Sequence, residues 1–362
     1  MNVRIPVQNG ANMFDPIEEQ VVAARGSATL SAQAVATTVL GFGFFVILVR
    51  LLGPFALGLY VAIGILTALG SALGGFGLPA AAVRFAAFLG FGGGEAAFRR
   101  TLLLLALCAA FITGIILYFL APWTSAILAH SGAFTDLFRL AALLVTASIL
   151  AGILDGWTRG QREFVRLAIS RVVCRILSVG LGAYLLLTGW GVLGAIWSLI
   201  TYHGLLIALL VPPFARGLLG REFYPLRGVV TFSLPLMASS AAVFGSGYAE
   251  SLLIVAFLAT PDLGVYNVAL TVGTFLAIIM VGPLTTTVLP TSSRVAFLGR
   301  SQGGVFAVAS RYVTLLVLPS SVGVVVLARQ WVALVAGTDF AAATEPAALV
   351  GVMILPVALI SI

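Results

Sequence analysis

The sequence predicts an all-α membrane protein: a polytopic bundle of about ten transmembrane helices, arranged as two related lobes. Three observations predict it, namely an apolar composition, apolar runs of membrane-spanning length, and an internal repeat. Of the 362 residues, 61% are hydrophobic and 9% are charged, with a mean hydropathy of +1.15. Soluble proteins carry roughly 25% charged residues, so this chain has too few polar side chains to cover a surface that faces water.

Ten apolar runs are long enough to cross a bilayer as helices, which takes about 20 residues each. They follow a polar arm at 1–26, which we expect to be cytoplasmic. In chain order, spans 1 to 10 are predicted near 28–48, 59–83, 101–121, 137–154, 167–187, 190–212, 229–258, 263–290, 305–328 and 341–362.

The arginines predict the orientation of these spans. All 19 basic residues are arginines, and a cytoplasmic N-terminus leaves only Arg50, Arg139 and Arg329 on the outer side. An excess of arginine is typical of cytoplasmic loops. The formal charge of +7 therefore reflects helix orientation and contact with anionic lipid, and binding to nucleic acid is not expected. The predicted location is the cytoplasmic membrane.

The segments LLGPFALGLYVA and LATPDLGVYNVA resemble each other. Within them, Gly58 and Gly264 lie 206 residues apart (264 − 58), as do Tyr60 and Tyr266 (266 − 60). Tyrosine is scarce in this chain, so the shared register indicates an internal duplication that relates span 1 to span 7 and span 2 to span 8. Six spans separate the copies, and an even number gives both copies the same orientation, as in a parallel repeat.

The repeat predicts the domain organisation. We expect an N-lobe at 27–213 with spans 1 to 6, and a C-lobe at 228–362 with spans 7 to 10. The C-lobe then has four of the six spans that the repeat requires. The chain also ends inside an apolar run, so we expect the second lobe to be incomplete and the chain to be truncated.

Four segments resemble the polysaccharide flippase family, which transports lipid-linked oligosaccharides of the O-antigen type. They are VRLLGPFALGLYVA, FGLPAAAVRFAA, GYAESLLIVAFLATPDLGVYNVA and GWTRGQREFVRLAISR. The family belongs to the superfamily that also holds the lipid II flippases and the MATE exporters. The chain departs from the family pattern at Glu250 and Ser251, where relatives often have an Asp-Arg pair, and in having fewer than 12 spans.

The resemblance implies that the chain flips a lipid-linked oligosaccharide for cell-surface polysaccharide synthesis, without a cofactor or metal. The implied partners are this substrate, membrane lipids, and the glycosyltransferases or polymerase of the same pathway. Two alternatives remain open, a MATE-like antiporter of small molecules and a membrane-embedded glycosyltransferase or polymerase. A relic that no longer transports is a third. We find no P-loop, HExxH or nucleophile-elbow motif that would indicate an enzyme.

Charged residues near the membrane are the first candidates for a substrate site, because a charge in a transmembrane helix costs roughly 2.5–3.5 kcal/mol on insertion scales. Glu250 lies within span 7. It is either a cavity residue that binds a coupling ion or the partner of an arginine. Arg84 lies at the end of span 2 and Arg294 at the end of span 8. They either contact the substrate's phosphate or orient the helices and face lipid headgroups. Arg50 lies at the outer rim of a cavity or at the membrane interface.

Polar residues on two helix faces are the second group of candidates. Asn267, Thr271 and Thr274 recur at spacings of four and three on span 8, and Gln33 and Thr37 lie four residues apart on span 1. Such groups line a path for a glycan or form ordinary hydrogen bonds between helices. Arginine suits the phosphate of a lipid-linked sugar, because its planar guanidinium binds oxygens in pairs and keeps its charge.

Overall fold

The computed structural model describes residues 16–89, 94–215, 222–275 and 303–360, and nearly all of them are helical. Two short 3-10 turns, at Gly132–Phe134 and Thr338–Ala343, join helices. The α-helices of the described residues are α1 Pro16–Gly74, α2 Leu78–Leu89, α3 Glu95–Leu128, α4 Thr135–Gly160, α5 Phe164–Leu187, α6 Gly191–Phe214, α7 Leu226–Phe257, α8 260–275, α9 Gly303–Val326, α10 Ala328–Ala336 and α11 Thr344–Ile360.

The predicted all-α, multi-pass membrane fold is confirmed. Within the described residues, six helices are long and apolar enough to cross a membrane, or seven if α9 and α10, which meet at 77°, form one crossing. The ten predicted spans differ from this number because α1 holds all of span 1 and much of span 2. Span 8 lies only partly within the described residues, and span 5 lies on α5, which is not among the six.

α1 is a hairpin of two helical segments. Its break is at Gly53, where φ is 69°, a conformation that favours glycine. Phe44 and Tyr60 line the same cavity, whereas a straight helix would hold residues 16 positions apart roughly 24 Å from each other. A second break follows α1, where Phe76 and Gly77 also have positive φ, so predicted span 2 is divided between α1 and α2.

The N-lobe packs around α4, which contacts α1, α2, α3, α5 and α6. Buried apolar side chains occur along most of its length, from Phe138 to Trp157. One end of this lobe carries Arg99, Arg159 and Arg166 and is called the arginine-rich end below. The end with the α1 hairpin turn and the C-terminus of α3 is called the arginine-poor end.

The two lobes meet at a pair of glycines that the internal repeat relates. A Cβ on Gly58 would lie 2.0 Å from the carbonyl oxygen of Thr260, and a Cβ on Gly264 would lie 2.2 Å from that of Pro54. Thr260 and Pro54 are themselves 206 positions apart (260 − 54). The two contacts are thus equivalent under the repeat, as they are when two copies cross at a two-fold axis.

Further contacts join the lobes at the arginine-poor end. Arg50 donates from Nε to the carbonyl oxygen of Val335 at 3.3 Å and from Nη2 to that of Leu334. These carbonyls end α10, where a cation is favoured by the helix dipole. Thr260 donates its hydroxyl to the carbonyl oxygen of Ala129 at 3.2 Å. This end of the lobe interface is therefore closed.

Candidate functional site

A cavity of about 330 Å³ lies between the two lobes. It is lined by α1 and α5 of the N-lobe and by α8 of the C-lobe. The stacked rings of Phe42 and Phe275, with centroids 3.6 Å apart, join the two lobes at its wall. The described residues that line it are Thr38, Gly41, Phe42, Phe44, Phe45, Leu48, Tyr60, Arg175, Leu270, Thr271, Thr274 and Phe275.

Arg175 of α5 is the one charged residue in this described lining. Its Nε is buried and has no hydrogen-bond partner among the described residues. A Cβ on Gly41 would lie 2.6 Å from Nη2, so the guanidinium occupies space that glycine leaves open. The guanidinium carbon lies 5.9 Å from the centre of the Tyr202 ring, near the limit of a cation–π contact.

An arginine without an anionic partner is unusual within a predicted membrane span. Burying an unpaired charge is costly, and intramembrane charges commonly mark functional sites. No acid among the described residues forms an ion pair with Arg175. Its donors are therefore available to an anion that enters the cavity.

The hydroxyl groups of the cavity are suited to a neutral polar ligand. Thr38 and Tyr60 line it from the N-lobe, and Thr271 and Thr274 line it from the C-lobe. Thr274 donates to the carbonyl oxygen of Leu270 at 2.7 Å, which leaves its oxygen free to accept. The cavity thus combines one cation with hydroxyls and aromatic rings, the groups that bind phosphates and sugars.

The structure places two candidates of span 8, Thr271 and Thr274, in the cavity lining. Asn267 is half-buried one turn earlier on α8. Gln33 is buried in the N-lobe, where its Oε1 accepts from Arg171 at 3.0 Å. Gln33 thus forms a hydrogen bond between α1 and α5, the alternative to lining a path for a glycan.

The three predicted arginines have different surroundings. Arg50 binds the end of α10, as described above. Arg84 is exposed on α2, and its guanidinium carbon lies 4.2 Å from the centre of the Phe232 ring on α7. Arg84 therefore contacts the other lobe at the arginine-rich end. Arg294 lies outside the described residues.

Glu250 of α7 has a tyrosine partner. It is exposed and accepts a hydrogen bond from the hydroxyl of Tyr266 on α8. In the N-lobe, the repeat equivalents are Phe44 (250 − 206) and Tyr60, which both line the cavity. The acid is thus a feature of one lobe only, and among the described residues it forms no ion pair with an arginine.

We expect Glu250→Gln to leave the protein level and melting temperature nearly unchanged. The partner is neutral, so no cation loses its counter-ion, and replacing a charge-assisted hydrogen bond with a neutral one costs about 1 kcal/mol. If Glu250 couples transport to an ion, the variant loses the dependence of transport on pH or Na⁺. Thermal unfolding of purified protein checks the first point, with Glu163→Gln as the control. A large loss of stability would show that Glu250 balances an arginine.

Sequence reasoning missed Arg175. We counted it among the arginines that orient the helices, although it lies inside predicted span 5. The signal was its position together with Arg171, four residues earlier on the same helix face. A pair of arginines within a span is too deep for a loop, which indicates a polar interior.

The chain matches the sequence profile of a family described as "Polysaccharide biosynthesis protein" over residues 47–345, which is most of its length. No curated protein sequence matches it. The family match bears out the resemblance that the four sequence segments carry.

Solved structures with the same fold are MATE transporters. An inward-facing multidrug resistance MATE family transporter of the MOP superfamily is 14% identical, with 90% of this chain and 83% of that chain covered and a TM-score of 0.65. A MATE in complex with MaD3S is 15% identical, with 93% and 79% covered and a TM-score of 0.61. The eukaryotic MATE transporter AtDTX14 is 14% identical, with 92% and 80% covered and a TM-score of 0.59.

Proposed function

We propose that this chain, which belongs to the polysaccharide biosynthesis protein family, flips lipid-linked oligosaccharides across the cytoplasmic membrane. The substrate has an apolar tail, an anionic phosphate or diphosphate, and a glycan. The tail stays in the lipid, whereas the phosphate and glycan need a polar route, because buried polar groups without partners cost several kcal/mol.

One observation carries this proposal, the guanidinium of Arg175 at the cavity between the lobes. Its buried Nε has no partner in the described part of the chain. A phosphate supplies the missing acceptors, and a guanidinium binds two phosphate oxygens at once. The hydroxyls of Thr38 and Thr271 lie on opposite walls of the same cavity, where they are suited to the glycan.

The closed contacts suggest the direction of access. The lobes meet through Gly58 and Gly264 at the arginine-poor end. We propose that the arginine-rich end faces the cytoplasm, as the distribution of arginines predicts. The substrate then enters from the cytoplasmic leaflet and leaves after the glycine contact opens.

The described residues contain no group of His, Cys, Asp and Glu that would hold a metal.

An ion-coupled antiporter of small molecules is the second candidate. Its support is the MATE fold and the exposed carboxylate of Glu250 beside Tyr266. The one charged residue in the described lining of the cavity is, however, positive. A positive charge disfavours the binding of the cationic compounds that such an exporter carries. The cavity therefore favours an anionic lipid.

Reconstitution into liposomes tests the proposed function. We expect the protein to flip a fluorescent oligosaccharide that is linked to a polyprenyl diphosphate, and we expect no transport of a quaternary ammonium dye. Liposomes with the Gly58→Ala variant provide a matched control for leakage. Transport of the dye without flipping of the lipid-linked sugar would contradict the proposal and favour the antiporter.

A further inference from the structure

Asp155, near the end of α4, is a buried acid between two arginines. Its Oδ2 accepts from Nε of Arg159 at 2.7 Å, and its Oδ1 accepts from Nε of Arg171 at 2.8 Å and from Nη2 of the same residue. Arg159 lies one turn away on α4. The bond to Arg171 joins α4 to α5, so the acid holds a guanidinium of the neighbouring helix.

A second residue holds the same guanidinium. Nη1 of Arg171 donates to Oε1 of Gln33 at 3.0 Å, and Nε2 of Gln33 donates to the hydroxyl of Thr37 at 3.1 Å. Thr37 directly precedes Thr38, which lines the cavity between the lobes. A chain of hydrogen bonds therefore runs from Asp155 through Arg171 and Gln33 to Thr37, the residue before one that lines the cavity.

Arg171 and Arg175 differ only in what they bind. They lie four residues apart on α5, which places them on one helix face about 6 Å apart along the axis. Both face α1, Arg171 through Gln33 and Arg175 beside Gly41. Arg171 is engaged on Nε, Nη1 and Nη2, whereas the buried Nε of Arg175 has no partner in the described residues.

We propose that Asp155 is a specificity-determining residue, which keeps Arg171 out of the cavity so that the transported lipid meets Arg175 alone. This inference rests on the proposed function. One guanidinium binds one phosphate and releases it after the lobes move. Two guanidiniums on adjacent turns of α5 would bind both phosphates of a diphosphate. The release of the diphosphate from the cavity would then be slower. Asp155 thereby sets how strongly the cavity distinguishes a diphosphate from a monophosphate.

Binding of two defined probes tests this proposal on the full chain in nanodiscs. The probes are farnesyl diphosphate and farnesyl monophosphate. We expect Asp155→Asn to bind the diphosphate about tenfold more tightly, because a second charge-assisted contact forms, and to change monophosphate affinity less than about threefold. Flipping by this variant should become slower. Asp155→Glu should restore both affinities, and adding Arg171→Gln to Asp155→Asn should remove the gain.

Two further variants separate the possible causes of a failure. Glu163→Gln removes the ion-pair partner of Arg166, which lies on α5 at the arginine-rich end, and should leave both affinities as in the wild type. Arg175→Gln should weaken both probes in the wild-type background. If it does not, the proposed phosphate site is wrong, whatever Asp155 does.

An unchanged ratio of diphosphate to monophosphate affinity in folded Asp155→Asn would overturn the proposal and leave Asp155 as a structural residue. If that variant does not fold, the single variant Arg171→Gln decides. It should bind the diphosphate as tightly as the wild type, since Arg171 is withheld from the cavity. Weaker binding would show that Arg171 already contacts the phosphate.

Discussion

Replacing Gly58 with alanine should lower transport about tenfold or more, because overpacking of this kind typically costs 1–3 kcal/mol and every 1.4 kcal/mol shifts an equilibrium tenfold. The added Cβ would lie 2.0 Å from the carbonyl oxygen of Thr260. That neighbour is backbone, so no side-chain rotation relieves the clash. The state in which the arginine-poor end is closed should therefore become rare. Gly264→Ala should have the same effect, since its Cβ would meet the carbonyl oxygen of Pro54.

Two glycines of the same helix are matched controls for this result. A Cβ on Gly43 or on Gly64 would meet nothing within 4 Å, and alanine is the better helix former by about 1 kcal/mol. Gly43→Ala and Gly64→Ala should therefore transport normally and be at least as stable as the wild type. Flipping assays in liposomes compare the four variants. Normal transport by Gly58→Ala would show that the glycine contact is not needed in the cycle.

Arg175→Gln should weaken binding of the substrate's phosphate by about 10- to 100-fold, because hydrogen bonds to charged groups contribute about 1.5–3 kcal/mol. The variant should fold normally, because Arg175 forms no ion pair within the described residues. Its removal therefore leaves no acid there without a counter-ion. Removal of an unpaired charge from the span should even raise the melting temperature. Arg175→Lys should retain part of the binding, because lysine keeps the charge but loses the paired geometry.

The paired readout separates a binding role from a structural role. Affinity for a polyprenyl diphosphate and thermal stability are measured on the same preparation of each variant. Arg166→Gln removes an arginine of the same helix that is half-buried and paired with Glu163, so its affinity should match the wild type. Loss of stability in Arg175→Gln, with affinity retained, would contradict the phosphate role.

The sequence was sufficient to predict the fold class and the internal repeat. The all-α class follows from the length of the apolar runs, and Gly58 and Gly264 were matched by their spacing, although their contact across the lobes was not predicted. Thr271 was a candidate from its face on span 8, either for a glycan path or for a hydrogen bond between helices, and the structure places it in the cavity lining. These features depend on local pattern or on register, both of which a single sequence contains.

Features that depend on distant contacts were not predictable. Arg50 reaches a carbonyl 285 residues away, which no local pattern indicates. Arg171 and Arg175 look alike in the sequence, and only the position of Asp155 on a neighbouring helix makes one engaged and the other available. The break after α1 depends on positive φ at Phe76 as well as Gly77, and phenylalanine gives no signal for such a conformation.

The proposed function requires that an anionic lipid binds in the cavity between the lobes, at Arg175. Protection of a cysteine at Thr271, on the opposite wall of the cavity, tests it most directly. Cys108 and Cys174 are first replaced with serine, and labelling by a water-soluble maleimide is measured with and without a polyprenyl diphosphate. Glu163→Cys, at the exposed arginine-rich end, serves as the control position.

The lipid should protect the cysteine at position 271 in the Arg175 background, should fail to protect it when Arg175→Gln is added, and should leave labelling at position 163 unchanged. Labelling at position 271 that proceeds at the same rate with and without the lipid, in a protein that still flips its substrate, would show that the lipid does not bind in this cavity.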